Sequence, residues 1–140
     1  MRKLSTILLV DDNEITNFLH ERLFERCNVF DQVLMAANGA KALDVLARQR
    51  DQFGSANPVL VLLDLNMPVM NGFQFLEAFR ALPPAHQQGV VVVVLTSSEN
   101  VQDFDRASAL PIAGLLDKPL DQAKIDTLLQ LYSGLPTAAE

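Results

Sequence analysis

Short apolar runs alternate with amphipathic segments along the whole chain. Leu4–Val10 is an apolar run that stops at two acids, Asp11 and Asp12. Ile15, Phe18, Leu19 and Leu23 follow at helical spacing. Val33–Ala37 reads as a second strand, stopped by Asn38-Gly39, and Ala40, Leu43, Leu46 and Ala47 mark a second helix. A polar loop over Arg50–Pro58 leads to a third strand, Val59–Leu63. Phe73, Leu76, Phe79 and Leu82 form a third helical stripe, which Pro83-Pro84 must end. Val90–Leu95 opens with five valines, whose branched Cβ atoms favour a strand over a helix. Val101, Phe104 and Ala107 suggest a fourth helix capped by Ser97 or Ser98. Ile112–Leu116 is a weaker fifth strand, with Pro111 at its start or edge. Ile125, Leu128, Leu129 and Tyr132 mark a fifth helix, with Asp121 as its cap and Leu120 stapled onto Ile125.

Five strands alternating with five helices imply βαβ units and a parallel sheet wound on both faces, an α/β fold. In such a sheet ligands bind outside the carboxyl ends of the strands. Chemistry gathers there in this sequence. Asp11 and Asp12 end the first strand, Asp64 the third and Thr96 the fourth, and Lys118 follows the fifth. Three carboxylates brought to one rim repel, and a divalent cation relieves them. Oxygen ligands without thiolate point to Mg²⁺ rather than zinc. A carboxylate beside Mg²⁺ and an ammonium suits phosphoryl transfer, with Asp64 as nucleophile.

Composition narrows the alternatives. The 140 residues are 49% apolar and 20% charged, enough for a core and sized for one domain. We read a single domain over 1–140, with its core at about 4–132 and 133–140 as a loose tail. A net charge of −6 argues against unaided nucleic-acid binding. The longest apolar stretch is far too short for a bilayer, and acids arrive too early for a signal peptide, so a cytoplasmic location is expected. Cys27 is the sole cysteine and reads as a helix-end filler. His20 and His86 read as solvated surface. Gly39, Gly72 and Gly114 form no nucleotide-binding motif.

Four runs together carry a resemblance. They are Ile7-Leu8-Leu9-Val10-Asp11-Asp12-Asn13, the stretch from Leu63-Asp64-Leu65-Asn66-Met67-Pro68 to Asn71-Gly72, Leu95-Thr96-Ser97-Ser98, and Leu116-Asp117-Lys118-Pro119. In this order, each at a strand end, they resemble the receiver domain of two-component response regulators, of the stand-alone chemotaxis type. The resemblance implies a flavodoxin-like (βα)₅ fold with strand order 2-1-3-4-5. It implies that Asp64 accepts phosphate from a histidine kinase or phosphotransfer protein, with Mg²⁺ held by Asp12, Asp64, Asp11 through water, and the main-chain carbonyl of Asn66. It makes Thr96 the switch hydroxyl, Lys118 the partner of the phosphoryl group, and the Lys118–Pro119 bond cis. Such a protein is a phospho-acceptor, not an enzyme beyond its own phosphorylation and dephosphorylation.

Departures from the family are equally visible. Leu115 stands where the family usually has an aromatic switch residue, and Asn71 where an aspartate is common. The few residues after the fifth helix are too short for an output domain. Signal is therefore expected to leave through the fourth helix, fifth strand and fifth helix, at Val101, Asp105, Arg106, Ile112, Ala113, Lys124 and Leu128, toward a partner protein or a second copy. Two alternatives are an aspartyl-phosphate phosphatase of the haloacid dehalogenase type and a receiver-like module that never carries phosphate. The first wants an acid two residues after the nucleophile, where this chain has Asn66.

Overall fold

The structure is a computed structural model that describes residues 4–52, 58–96, 101–109, 112–118 and 120–133. Five parallel strands form one sheet: β1 (Leu4–Val10), β2 (Phe30–Ala36), β3 (Val59–Asp64), β4 (Val90–Thr96) and β5 (Gly114–Asp117), in the order β2-β1-β3-β4-β5. The expected topology holds. The helices are α1 (Glu14–Cys27), α2 (Gly39–Arg48), α3 (Gly72–Arg80), α4 (Pro84–Gln87), α5 (Val101–Ser108) and α6 (Gln122–Ser133), with a 3₁₀ turn at Arg50–Gln52.

Strand periodicity sorts the core into two layers. Leu8, Val10, Val61, Leu63, Val92 and Val94 face one side, where Ala42, Leu46, Phe75, Leu76 and Phe79 from α2 and α3 cover them. Ile7, Leu9, Leu60, Leu62, Val93 and Leu95 face the other, against Phe24 of α1 and Ile125 and Leu128 of α6. Burial on both faces is why the central strands read as unbroken apolar runs.

Caps set where the helices begin. Asn13 Oδ1 accepts from the amides of Ile15 and Thr16 at 3.0 and 3.1 Å. Asn71 and Gln74 form a capping box, so asparagine fully serves at that position. Asp121 caps α6 through the Lys124 amide at 2.9 Å, and Leu120 is buried in the same layer as Ile125. The cap at Ser97 or Ser98, the place of Pro111, the Lys118–Pro119 bond and the tail beyond Ser133 lie outside the described residues.

Three expectations need correction. The periodic stripe of α1 was Ile15, Phe18, Leu19 and Leu23, yet Ile15 is 71% and Phe18 52% exposed, with Leu19 also exposed. The inward residues are Asn17, His20 and Phe24. The phenylalanine fills the core, and Asn17 satisfies its buried amide on the Asp11 carbonyl at 2.8 Å, which fixes the helix in this rotation. His20 is consequently buried, not solvated surface. Second, α3 ends before Pro83-Pro84 as expected, but a sixth, one-turn helix, α4, follows where five helices were expected, because proline is well suited to a helix's first position. Third, Leu128 is fully buried against the sheet and belongs to no surface.

Gly72 locks the segment after β3. Its amide donates to the Leu65 carbonyl at 3.0 Å, and a Cβ there would stand 2.7 Å from the Asp64 carbonyl oxygen and 2.8 Å from Leu65 Cα. Backbone atoms cannot yield as a flexible side chain would. Gly72→Ala is expected to cost about 1–3 kcal/mol, read as a lower urea midpoint at unchanged slope. A midpoint at or above that of the unsubstituted protein would contradict this packing.

Candidate functional site

Each element ends its run by delivering one polar group to the same rim. β1 continues pairing one residue past its end, since the Asp11 amide donates to the Ala36 carbonyl at 3.1 Å. This holds Asp11 in the sheet, buried, while Asp12 turns outward and is exposed. Asp11 Oδ1 accepts from the Asn13 amide at 2.9 Å, tying the acid to the start of α1. Asp64 is the last residue of β3, in register with Leu95, and is also buried. Thr96 ends β4 with no exposure at all, and its Oγ1 has no hydrogen-bond partner. The Lys118 amide donates to the Thr96 carbonyl at 2.8 Å, which carries the lysine over the edge of β5.

The side chains converge. One carboxylate oxygen from each of Asp11, Asp12 and Asp64 lies within 4.8 Å of the others. Lys118 Nζ stands 3.1 Å from Asp11 Oδ2 and 3.4 Å from Asp64 Oδ1. Burial, then the charge of Asp11, pushes the Asp64 carboxyl up to about 6, against the pull of Lys118 and a hydrogen bond from the Asn66 amide. Burial opposes the charge on Lys118, yet Asp64 and Asp11 together hold its pKa above the ordinary value. One ammonium thus faces three carboxylates. The oxygen-only donor set, two of its acids buried and Asp12 exposed, fits a hard divalent cation such as Mg²⁺.

The segment after Asp64 is strained. Val69 has a positive φ of 69°, and the Met70 amide closes a tight turn on the Pro68 carbonyl at 2.7 Å. A β-branched residue rarely adopts that conformation. The Met70 carbonyl accepts from the Gly39 amide at 2.9 Å, anchoring the turn to α2. Val69 itself is 83% exposed.

Other predicted residues fall into place around this centre. Leu115 is half-buried on β5 and packs into the α2–α3 layer, so no ring occupies the position three before Lys118. Cys27 ends α1, half-buried. His86 is half-buried on α4, 3.0 Å from an Arg50 guanidinium nitrogen, well away from the acids in the chain. The sequence reading missed Asn17 and His20 at the site. Their spacing of three on one helix, after an acid pair, was the available signal.

The sequence model described as the response regulator receiver domain matches residues 7–130. The probable methanogenesis regulatory protein FilR2 of Methanothrix harundinacea is 37% identical over 120 residues, covering 81% of this chain and 72% of that protein. The response regulator receiver protein structure from Dyadobacter fermentans is 30% identical with a TM-score of 0.76, covering 92% of this chain and 98% of that one. The receiver domain of the Pseudomonas aeruginosa sensor histidine kinase PA1611, with magnesium coordinated in its active-site cleft, shares the fold at 23% identity and a TM-score of 0.74, covering 94% of this chain and 99% of that one. Among the described residues, no helix is long and apolar enough to cross a membrane.

The raised Asp64 pKa has a consequence for stability. A carboxyl at about 6 when folded, against 3.8 ordinarily, takes up a proton on folding. Its contribution is therefore unfavourable above pH 6, and the penalty fades as pH falls from 6 toward 3.8. Without divalent cations at pH 7.5, Asp64→Asn is expected to stabilise the protein by about 1–3 kcal/mol. Thermal melts across pH should show that gain shrinking to near zero by about pH 4. A gain independent of pH, or a loss at pH 7.5, would contradict the electrostatic account.

Proposed function

This chain belongs to the response regulator receiver domain family, and on that premise we propose that it is a phospho-receiver whose acceptor is Asp64. Receiver domains are signalling proteins rather than enzymes of the ordinary kind, and they bind Mg²⁺ in an acidic pocket. The observation that carries the reading here is the convergence of Asp11, Asp12 and Asp64, with oxygens within 4.8 Å of one another, on Lys118, which pairs with Asp11 and Asp64. Asn66 at the position of a general acid gives the phosphatase alternative no support.

The proposed step begins with an Asp64 carboxylate oxygen approaching the phosphorus of a phosphohistidine on a histidine kinase or phosphotransfer protein. A P–O bond forms as the P–N bond breaks, and the imidazole leaves with the electron pair and takes a proton. Asp11, Asp12, Asp64 and the Asn66 carbonyl would hold Mg²⁺, whose charge neutralises phosphoryl oxygens during transfer. Lys118, already drawn to the rim, pairs with a second oxygen. The Thr96 hydroxyl, buried and without a partner, has a hydrogen bond to give to a third. With a pKa near 6, Asp64 is mostly ionised at neutral pH and ready as nucleophile.

Signal then leaves through a surface. Phosphorylation biases a two-state equilibrium, and the partner or second copy reads the face of α5, β5 and α6. Asp105 and Arg106 are exposed there, and Ile112, Ala113 and Lys124 are half-buried. The side chain of Val101 lies outside the described residues. Leu115 cannot swing a ring, so the loop and helix after Thr96 carry the change. A cytoplasmic setting is part of the same reading.

Intact-mass measurement after incubation with acetyl phosphate or phosphoramidate and Mg²⁺ tests the chemistry. The unsubstituted chain should gain one phosphoryl group, which should not form when EDTA replaces Mg²⁺ or in Asp64→Asn. Lys118→Ala should accumulate it about tenfold more slowly or worse. An unmodified chain, or equal modification of Asp64→Asn, sinks the proposal.

A further inference from the structure

Beside the carboxylates lies a small cavity of about 10 Å³, on the scale that holds the centre of one water molecule. Leu62 and Leu95 form part of its apolar wall, and Asp11, Asp64, Asn17 and His20 bring polar groups to it. Asn17 is 6% exposed, and while its Nδ2 donates to the Asp11 carbonyl, its Oδ1 is buried without a partner. His20 is 9% exposed and sits one helical turn on, within the fields of Asp11 and Lys118. The same ring also borders an outer groove of about 410 Å³ shared with Thr16, Lys118 and Leu120. His20 therefore lines both the small cavity and the groove.

We propose that the cavity is an internal water site, in which one ordered water held by Asn17 Oδ1 and the His20 ring backs the Asp11 and Asp64 carboxylates. A water needs two to four polar partners to remain in an interior, and Asn17 Oδ1, the His20 ring and one carboxylate make three. It gives the orphaned amide oxygen a donor and leaves a second O–H for a carboxylate. His20 borders the groove on one side and makes one contact to the water on the other, which makes His20 a positioning residue for the cation and phosphoryl site. That last role rests on the phospho-receiver reading, whereas the water site does not. Groups behind metal ligands tune metal affinity without touching the metal.

Two measurements decide it. Crystals of the full chain, grown with and without MgCl₂, should show one water within hydrogen-bond distance of Asn17 Oδ1 and of His20 or a carboxylate. A dry cavity overturns the proposal. Calorimetric Mg²⁺ titration should show His20→Leu binding about tenfold more weakly, with His20→Gln within about twofold of the unsubstituted chain. Thermal melts without Mg²⁺ verify that both variants are folded, and should one not fold, the crystal result alone decides. Unchanged affinity in a folded His20→Leu overturns the positioning role. If the unsubstituted chain binds no Mg²⁺, the phospho-receiver reading and the positioning role fail together, and the water density still decides the site.

Discussion

The repulsion among Asp11, Asp12 and Asp64 is the constraint around which this molecule is organised. Two of these acids are buried, one oxygen from each of the three lies within 4.8 Å of the others, and among the described residues Lys118 is the cation that pairs with them. Charges so placed are tolerated because the sheet leaves them no retreat. Asp11 is held by the Ala36 carbonyl and the Asn13 amide, and Asp64 by its place at the end of the central strand. Held this way, the site carries an unmet demand for positive charge. In the proposed phospho-receiver a divalent cation would meet that demand, and its charge would also serve an incoming phosphoryl group.

Rigidity around the acids serves the same end. Close packing at Gly72, the capping box at Asn71 and the strained turn at Val69 define the backbone on which Asp64 and Asn66 sit. Their effect is to prevent the rim from relaxing apart and dissipating the electrostatic tension. A looser rim would hold three solvated carboxylates with little affinity for anything.

What the sequence discloses follows from which forces dominate locally. The strands of the central sheet were legible because burial on both faces demands unbroken apolar runs, and their polar ends stood out against those runs. Asp11, Asp12, Asp64, Thr96 and Lys118 were found in this way, and their common rim follows from parallel pairing. The inner face of α1 was not legible. Periodicity weighed Ile15, Phe18 and Leu19 as apolar, but burial of Asn17 was made cheap by a carbonyl that only the folded chain brings near. His20 was misread for the same reason, being carried inward by the rotation that Phe24 and Asn17 impose. Helix α4 was missed because one turn gives no periodicity to detect.

The central claim is that the buried acids are held in want of a divalent cation. Thermal stability under Mg²⁺ titration at pH 7.5 measures that want directly. The melting temperature should rise saturably with Mg²⁺, rise far less in Asp12→Asn, and respond progressively less as the pH is lowered through 6. A melting temperature indifferent to Mg²⁺, or a rise of equal size in Asp12→Asn, would contradict the account.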